Sequence, residues 1–269
     1  MNQSSPFSMP PVVKNLILIN VIMWLAKYAL LNLGIDLTEI LGLHYPGSVH
    51  FRPYQFVTHL FMHGDFMHLL FNMFALYMFG KVLEMVWGPR RFMVYFFVTG
   101  LGAAALHSFV TYIELSSLQR SVAAFVNTPS PELLASFVKA HLAHPANWVM
   151  DLVNNWGDNP TNVGYTQQSV ELVQRVLLEK IDIPTVGASG AIFGILLGFG
   201  YLFPNTELML LFPPVPIKAK YFVMGYGAIE LYMGLSGAQS NVAHFAHLGG
   251  MLFGFILLRY WSKHTKNFY

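Results

Sequence analysis

The order of apolar and polar residues divides the chain into six apolar runs joined by more polar stretches, at roughly 12–33, 65–86, 91–113, 186–204, 217–236 and 242–261. Each is near the ~20 residues that cross a ~30 Å hydrocarbon core. The pattern therefore predicts an all-α membrane protein with six transmembrane helices. The segment before the first run is long, polar and nearly uncharged, and Leu31-Asn32-Leu33-Gly34 is no small-residue cleavage site, so the first run is expected to stay on the protein. Residues 114–183 are too polar to span. Stretches 131–144 and 167–181 carry apolar residues at helical spacing (Val170, Val173, Leu177, Ile181), which predicts short amphipathic helices in a long outer insertion between helices three and four. Trp148 and Trp156 would suit a membrane interface. No internal repeat interrupts this plan, and residues 1–269 read as one membrane domain carrying that insertion.

Composition sharpens the class. Of 269 residues, 55% are apolar and 10% charged, where a soluble domain usually carries about 25% charge. Fifteen basic and thirteen acidic residues give a net charge of +2, too balanced for a nucleic-acid binder. The absence of cysteine removes disulfides, thiolate metal sites and a cysteine nucleophile. Short cytoplasmic loops collect Lys and Arg. Here Lys81, Arg90 and Arg91 fall between runs two and three, Lys218 and Lys220 between four and five, and Arg259, Lys263 and Lys266 after six; Lys14 precedes the first. The expectation is a multi-pass protein of the cell (inner) membrane with cytoplasmic termini, and with residues 34–64, 114–183 and 237–241 facing outward.

Polar residues inside apolar runs are costly, so each implies a packing partner or a function. His59, His63, His68 and Asn72 gather at the start of the second run, where Asp65 after Gly64 makes a suitable N-cap. His68 and Asn72, four apart, leave one helix face. In Gly187-Ala188-Ser189-Gly190, the glycines at 190, 194 and 198 form a close-packing face on which the serine could be just another small residue. The order is not the Gly-x-Ser-x-Gly elbow of soluble hydrolases, because position 191 is alanine. His244 and His247 precede Gly250 and Gly254; they could be ligands, switches or packing donors.

Depth separates these readings. A fourth helix beginning near Ser189 and running to Phe203 rises only ~22 Å, so Ser189 lies below the outer surface and residues 184–188 must dip in to meet it. Irregular backbone at that depth is tolerated only when buried in protein or lining a watery cavity. A sixth helix starting near Asn241 puts His247 ~9 Å down, and Asn72 lies ~10 Å below Asp65. Ser189, His247, His68 and Asn72 thus share one depth on one side. A serine nucleophile needs a base, usually histidine, and its oxyanion needs fixed donors. His247 is the candidate base; His68, the Asn72 amide and the Ser189 N–H are candidate donors. Phe193, one turn below Ser189, is placed to press on the His247 ring.

These motifs, with Gly80-Lys81-Val82-Leu83-Glu84 at the end of the second run and Ala246-His247 followed by Gly250 and Gly254, resemble the rhomboid family of six-span intramembrane serine proteases. The resemblance implies a Ser189–His247 dyad without a required acid and an oxyanion hole from His68, Asn72 and the Ser189 backbone. It also implies transmembrane protein substrates that gain access past span five, and neither metal nor cofactor. Gly187 and Gly190 would support the serine. Many members carry Trp-Arg in the outer loop where this chain reads Tyr54-Gln55, and the 114–183 segment is longer than in compact members.

Two other functions stand beside this one. A catalytically inactive rhomboid-like binder of membrane proteins is disfavoured because both Ser189 and His247 are present. A histidine-based metal transporter or metalloprotease is weakened by the lack of a His-Glu-x-x-His helix. His59, His63 and His244 default to structural roles, Glu84 to a hydrogen-bonding anchor near Gly88. Glu230, ~20 Å above the inner face, is weighted toward structure over service as a third member.

Overall fold

The computed structural model describes residues 9–209, 214–236 and 243–264. Asn241, the 237–241 stretch and Lys266 lie outside the described residues. The chain is mostly helical: α1 (Pro11–Leu31), α2 (Leu37–Leu41), α3 (Gln55–Thr58), a 3-10 turn (His59–Phe61), then α4 (Phe66–Ala75) running through a π turn (Leu76–Gly80) into α5 (Lys81–Trp87). There follow α6 (Pro89–Asn127), α7 (Pro131–His141), α8 (Asn147–Asp158), α9 (Val163–Asp182), α10 (Ser189–Leu202), α11 (Ala219–Ser236) and α12 (His244–His264). A two-stranded antiparallel ribbon, β1 (Glu207–Met209) with β2 (Pro216–Lys218), joins α10 to α11 in sequence.

Among the described residues three helices are long and apolar enough to cross a membrane, Pro11–Leu31, Phe66–Trp87 and Pro89–Asn127, which makes this an integral membrane protein. The helix Ser189–Leu202 is apolar but has only fourteen residues. Helices α11 and α12 have the length; their hydropathy is lowered by Lys220 and Glu230 in one and by His244, His247 and Arg259 in the other.

The chain forms two compact units, one from the described parts of Met1–Leu43, His50–Phe109 and Pro184–Tyr269, the other from His44–Val49 and Val110–Ile183. The first is built around α10, whose residues from Gly190 to Gly200 are nearly all buried. Leu69, Leu76, Leu83, Phe92, Tyr95, Phe96, Ile192 and Ile195 share its core. The second has its own core of Leu118, Phe125, Leu134, Phe137, Leu152, Trp156 and Val173.

One boundary and one residue's placement differ from the sequence reading. Helix α6 continues fourteen residues past 113 to Asn127, because Leu115, Leu118, Val122 and Phe125 keep a helical stripe that is buried in the second core. Trp156 does not sit at an interface: it is 1% exposed inside that core and donates its indole N–H to the Pro160 carbonyl at 3.3 Å. Trp148 is exposed.

The start of α1 shows how buried backbone finds partners within the chain. The first N–H groups of a helix lack intrahelical acceptors. Pro11 has no N–H to satisfy, and Lys14 N–H donates to the Pro10 carbonyl at 3.0 Å. Val12 and Val13 donate to the two carboxylate oxygens of Glu84, at 2.9 and 2.8 Å. Glu84 is buried, and its charge also complements the helix dipole. The carboxylate expected to anchor near Gly88 thus caps another helix, while only its backbone carbonyl meets the Gly88 N–H. At the far end of α1, Lys27 donates to the carbonyls of His63 and Gly64 at 3.0 and 2.9 Å.

Replacing Glu84 by Ala strands two buried N–H groups, each worth about 1–3 kcal/mol. Denaturation of the detergent-solubilised protein should show a loss of about 2–5 kcal/mol for Glu84→Ala and a smaller one for Glu84→Gln; a loss below about 1 kcal/mol for Glu84→Ala would contradict this capping role.

Candidate active site

Ser189 is the first residue of α10, after Ala188 at the cap position. The stretch leading to it, Pro184 to Ala188, is not helical, and its backbone must be satisfied within the protein. Thr185 and Leu43 exchange two backbone hydrogen bonds of 2.8 Å. The Thr185 hydroxyl lies 2.9 Å from His107 Nε2. Gly187 N–H donates to the His59 carbonyl at 2.9 Å. Gly187 has φ 122°, and a Cβ there would stand 2.7 Å from His68 Cε1 and Nε2, so glycine is required both by its backbone and by the His68 ring lying against it.

Helix α12 packs on α10 at close backbone range. A Cβ on Gly250 would run into the carbonyl of Gly190, and one on Gly190 into the Ala103 side chain. Gly194 faces Thr99, Gly198 faces Leu83, Trp87 and Tyr95, and Gly254 faces the Tyr95 hydroxyl. That hydroxyl donates to the Gly194 carbonyl at 2.8 Å.

His247, one turn before Gly250, thereby reaches Ser189: its Nε2 lies 2.9 Å from the serine Oγ. The Phe193 ring stacks on the imidazole with centroids 4.1 Å apart and planes within 5°. His247 Nδ1 lies 2.9 Å from Glu230 Oε2, and His244 Nδ1 lies 2.7 Å from the same oxygen. A carboxylate oxygen accepts, so Nδ1 of His247 carries the hydrogen and Nε2 presents its lone pair to the serine hydroxyl. Glu230, His244 and His247 offer donor atoms within 4.8 Å of one another, a spacing a metal ion could also use.

His68 and Asn72 stand on one face of α4, whose N-cap Asp65 accepts from the His68 N–H at 2.9 Å. Asn72 is buried, and its amide nitrogen has no hydrogen-bond partner among the described residues. A cavity of about 20 Å³ opens beside Ser189, lined by His59, His107, Thr185, Gly187 and Gly190. It has room for about one water molecule.

His59 and His63 do not touch the serine. His59 lies with Nδ1 2.8 Å from the Gln55 carbonyl. Burial lowers its pKa to about 4. His63 packs edge-on against His68 at 5.0 Å, and burial, aided by His68 and Lys27, lowers its pKa to about 3. Gln55 is fully buried and holds the loop around it: its side-chain carbonyl accepts from Arg52 N–H at 3.0 Å, and its amide donates to the carbonyls of Ile40 and His50 at 3.2 and 3.0 Å.

Sequence reasoning missed His107, a lone histidine in an apolar helix, where a polar residue at membrane depth was the available signal. It weighted Glu230 toward structure over orienting a histidine as a third member, whereas its carboxylate meets Nδ1 of both His244 and His247.

A helical membrane protein with a serine and a histidine in hydrogen-bond contact between packed helices is the class that fold and site define. A family model described as the Rhomboid domain matches residues 50–122 and 163–264, and the chain belongs to the rhomboid family. Rhomboid protein 1, mitochondrial, of Saccharomyces cerevisiae is 38% identical over 80 residues, 30% of this chain and 23% of that protein. An uncharacterized mitochondrial rhomboid protein of Schizosaccharomyces pombe is 25% identical over 224 residues, 80% of this chain and 53% of that one. Rhomboid-like protein 11, chloroplastic, of Arabidopsis thaliana is 38% identical over 90 residues, 31% of each chain. The chain spans about half the length of these curated relatives or less.

The two low histidine pKa values set a pH dependence. Both rings are neutral in the folded protein well below 6.5, whereas the unfolded chain takes up their protons near 6.5. Their contribution to stability is complete above pH 6.5 and is lost as pH falls toward 4 and 3, at about 1.4 kcal/mol per pH unit for each ring. The unfolding midpoint should therefore fall between pH 7 and 4.5, and less steeply in His63→Gln; equal slopes in the two proteins would refute the assignment.

Proposed function

We propose that the protein is an intramembrane serine endopeptidase that cleaves transmembrane segments of membrane proteins with Ser189 as nucleophile and His247 as base. The observation that carries this reading is the 2.9 Å contact of His247 Nε2 with Ser189 Oγ, in the tautomer that leaves Nε2 free to accept. Membership of a family that includes serine intramembrane proteases supports it.

In the proposed reaction the Ser189 oxygen attacks the scissile carbonyl carbon as its proton passes to Nε2, and the carbonyl π pair moves onto oxygen. The oxyanion is received by the Ser189 N–H at the positive end of α10, by the Asn72 amide that lacks another acceptor, and by His68. Collapse breaks the C–N bond, and Nε2 returns its proton to the departing amine. A water then attacks the acyl-enzyme by the same steps, giving its proton to Nε2, which passes it to Ser189 Oγ as the acid leaves. A peptide bond within an intact helix is shielded, so helix-destabilising residues near the substrate's cleavage site belong to this reading.

The same reading takes α10, α11 and α12 as three further spans beside the three that meet length and apolarity, six in all. Residues 114–183 are taken as an extracytoplasmic insertion in a single rhomboid-like domain; the family match, which omits 123–162, favours an insertion there. The basic residues in the opening turn of α1 (Lys14), at the starts of α5 (Lys81) and α6 (Arg90, Arg91), around the start of α11 (Lys218, Lys220) and at the end of α12 (Arg259, Lys263) support both ends lying on the cytoplasmic side. The relatives are named as mitochondrial and chloroplastic proteins and lend no support to an inner cell membrane.

Purified wild type should cleave a panel of single-span proteins and take a fluorophosphonate on Ser189. Ser189→Ala should lose both while keeping the wild-type unfolding midpoint, and His247→Asn should lose at least about 100-fold in cleavage rate. Undiminished cleavage by Ser189→Ala would end this proposal. Absence of both cleavage and labelling in the wild type would favour the inactive binder.

A further inference from the structure

Resting on the Ser189–His247 reading, we infer that Glu230 is a positioning residue for the base: it sets which edge of the His247 ring faces the serine and ties that choice to the seating of α11. Stacking on Phe193 fixes the plane of the imidazole and nothing more. A half-turn of the ring about its Cβ–Cγ bond keeps the plane and the stack but exchanges Nδ1 with Cδ2 and Nε2 with Cε1, presenting a carbon to Ser189. Stacking also does not choose between the two neutral tautomers. The hydrogen bond from His247 Nδ1 to Glu230 Oε2 does both.

The carboxylate is itself held. His244 donates from Nδ1 to the same oxygen at 2.7 Å, so one acceptor bridges two histidines one helical turn apart on α12. All three side chains are buried. Helix α11 buries only Ala219, Val223 and Glu230, which fall on one stripe, and the first two lie in its opening turns. Glu230 is the buried attachment of its later turns. Tyr226, one turn earlier on α11, adds its ring to Phe193 at 4.8 Å. A displacement of α11 away from α12 therefore withdraws the acceptor from His247 and frees the ring to turn, so base orientation and the position of α11 change together.

Glutamine at 230 keeps the shape but sets a neutral amide at the point where one carboxylate oxygen meets both Nδ1 atoms: its oxygen there accepts more weakly than a carboxylate and its NH2 there donates instead, so the productive tautomer of His247 is no longer enforced. Aspartate keeps the charge on a shorter arm. The full chain is purified as wild type, Glu230→Gln and Glu230→Asp. Fluorophosphonate labelling of Ser189, kcat and KM on a single-span substrate, and the unfolding midpoint are measured with and without EDTA. Glu230→Gln should lose about 100-fold in labelling rate and in kcat, with KM changed less than about threefold and no EDTA sensitivity in the wild type. Glu230→Asp should recover part of that loss at an unfolding midpoint no higher than that of Glu230→Gln. Wild-type labelling rates in Glu230→Gln would overturn the inference and leave the dyad standing. So would a loss confined to KM, or activities of the two variants that simply follow their unfolding midpoints. Loss of wild-type labelling in EDTA would replace the hydrogen bond by a metal held on Glu230, His244 and His247. A wild type that never labels would remove the dyad and this inference together.

Discussion

The arrangement depends on how closely two backbones approach. Where α10 crosses α12, Gly190 and Gly250 meet with no side chain between them, and Ala103 closes on Gly190 from α6. Ser189 is the neighbour of Gly190, and His247 stands one turn from Gly250. A serine hydroxyl is only two bonds from its Cα, so it reaches an imidazole on another helix only if the helices touch. Any Cβ at the crossing would push them apart and open the 2.9 Å contact. The glycines are thus geometric requirements of the site, and the α10–α12 crossing is its frame.

A second constraint is that buried backbone must find its partners inside the chain. The stretch from Pro184 to Ala188 gives up helix just before the serine, and groups along it are taken up nearby: the Thr185 backbone by Leu43, the Thr185 hydroxyl by His107, the Gly187 N–H by the His59 carbonyl. The same solution recurs at the other end of the unit, where Glu84 supplies both oxygens to the start of α1. In both places residues that look like candidate chemistry serve to close the fold. Burial that makes His59 hard to protonate also suits it to a fixed structural part.

The apolar runs made the long helices legible, and scarce charge made Ser189, His247, His68 and Asn72 stand out at one depth. Periodicity over a few turns is a local property and survives without knowledge of the fold. The end of α6 was not legible, because residues after 113 read as too polar to span although Leu118, Val122 and Phe125 continue one face into a separate core. Trp156 shows the same limit: an aromatic of mixed character fits an interface or a core, and only its neighbours decide. Gln55 and Glu84 were visible as unusual residues, but their partners lie up to 72 positions away, and hydrogen-bond pairing at that separation leaves no periodic trace. For Glu230 both a structural role and orientation of a histidine were readable, but depth does not specify direction around a helix, so the sequence did not choose between them.

The site is polarised across the His247 ring. Glu230, the acceptor, lies on the Nδ1 side of His247 and the serine on the Nε2 side; the Asn72 amide nitrogen, without a partner among the described residues, and the Ser189 N–H are the proposed donors to the oxyanion. On the proposed chemistry, positive charge appears on the imidazole and negative charge on the former carbonyl oxygen at the same moment. The carboxylate then stabilises the first charge while the width of an imidazole ring separates it from the second, where its repulsion would raise the barrier. The donors stabilise the second charge without competing for the histidine. In a low-dielectric interior such an ordering matters more than it would in water, because each misplaced charge acts at nearly full strength. A carboxylate on the serine side would oppose the reaction it here assists, so its place behind the histidine is what makes a buried acid compatible with a serine site in a membrane.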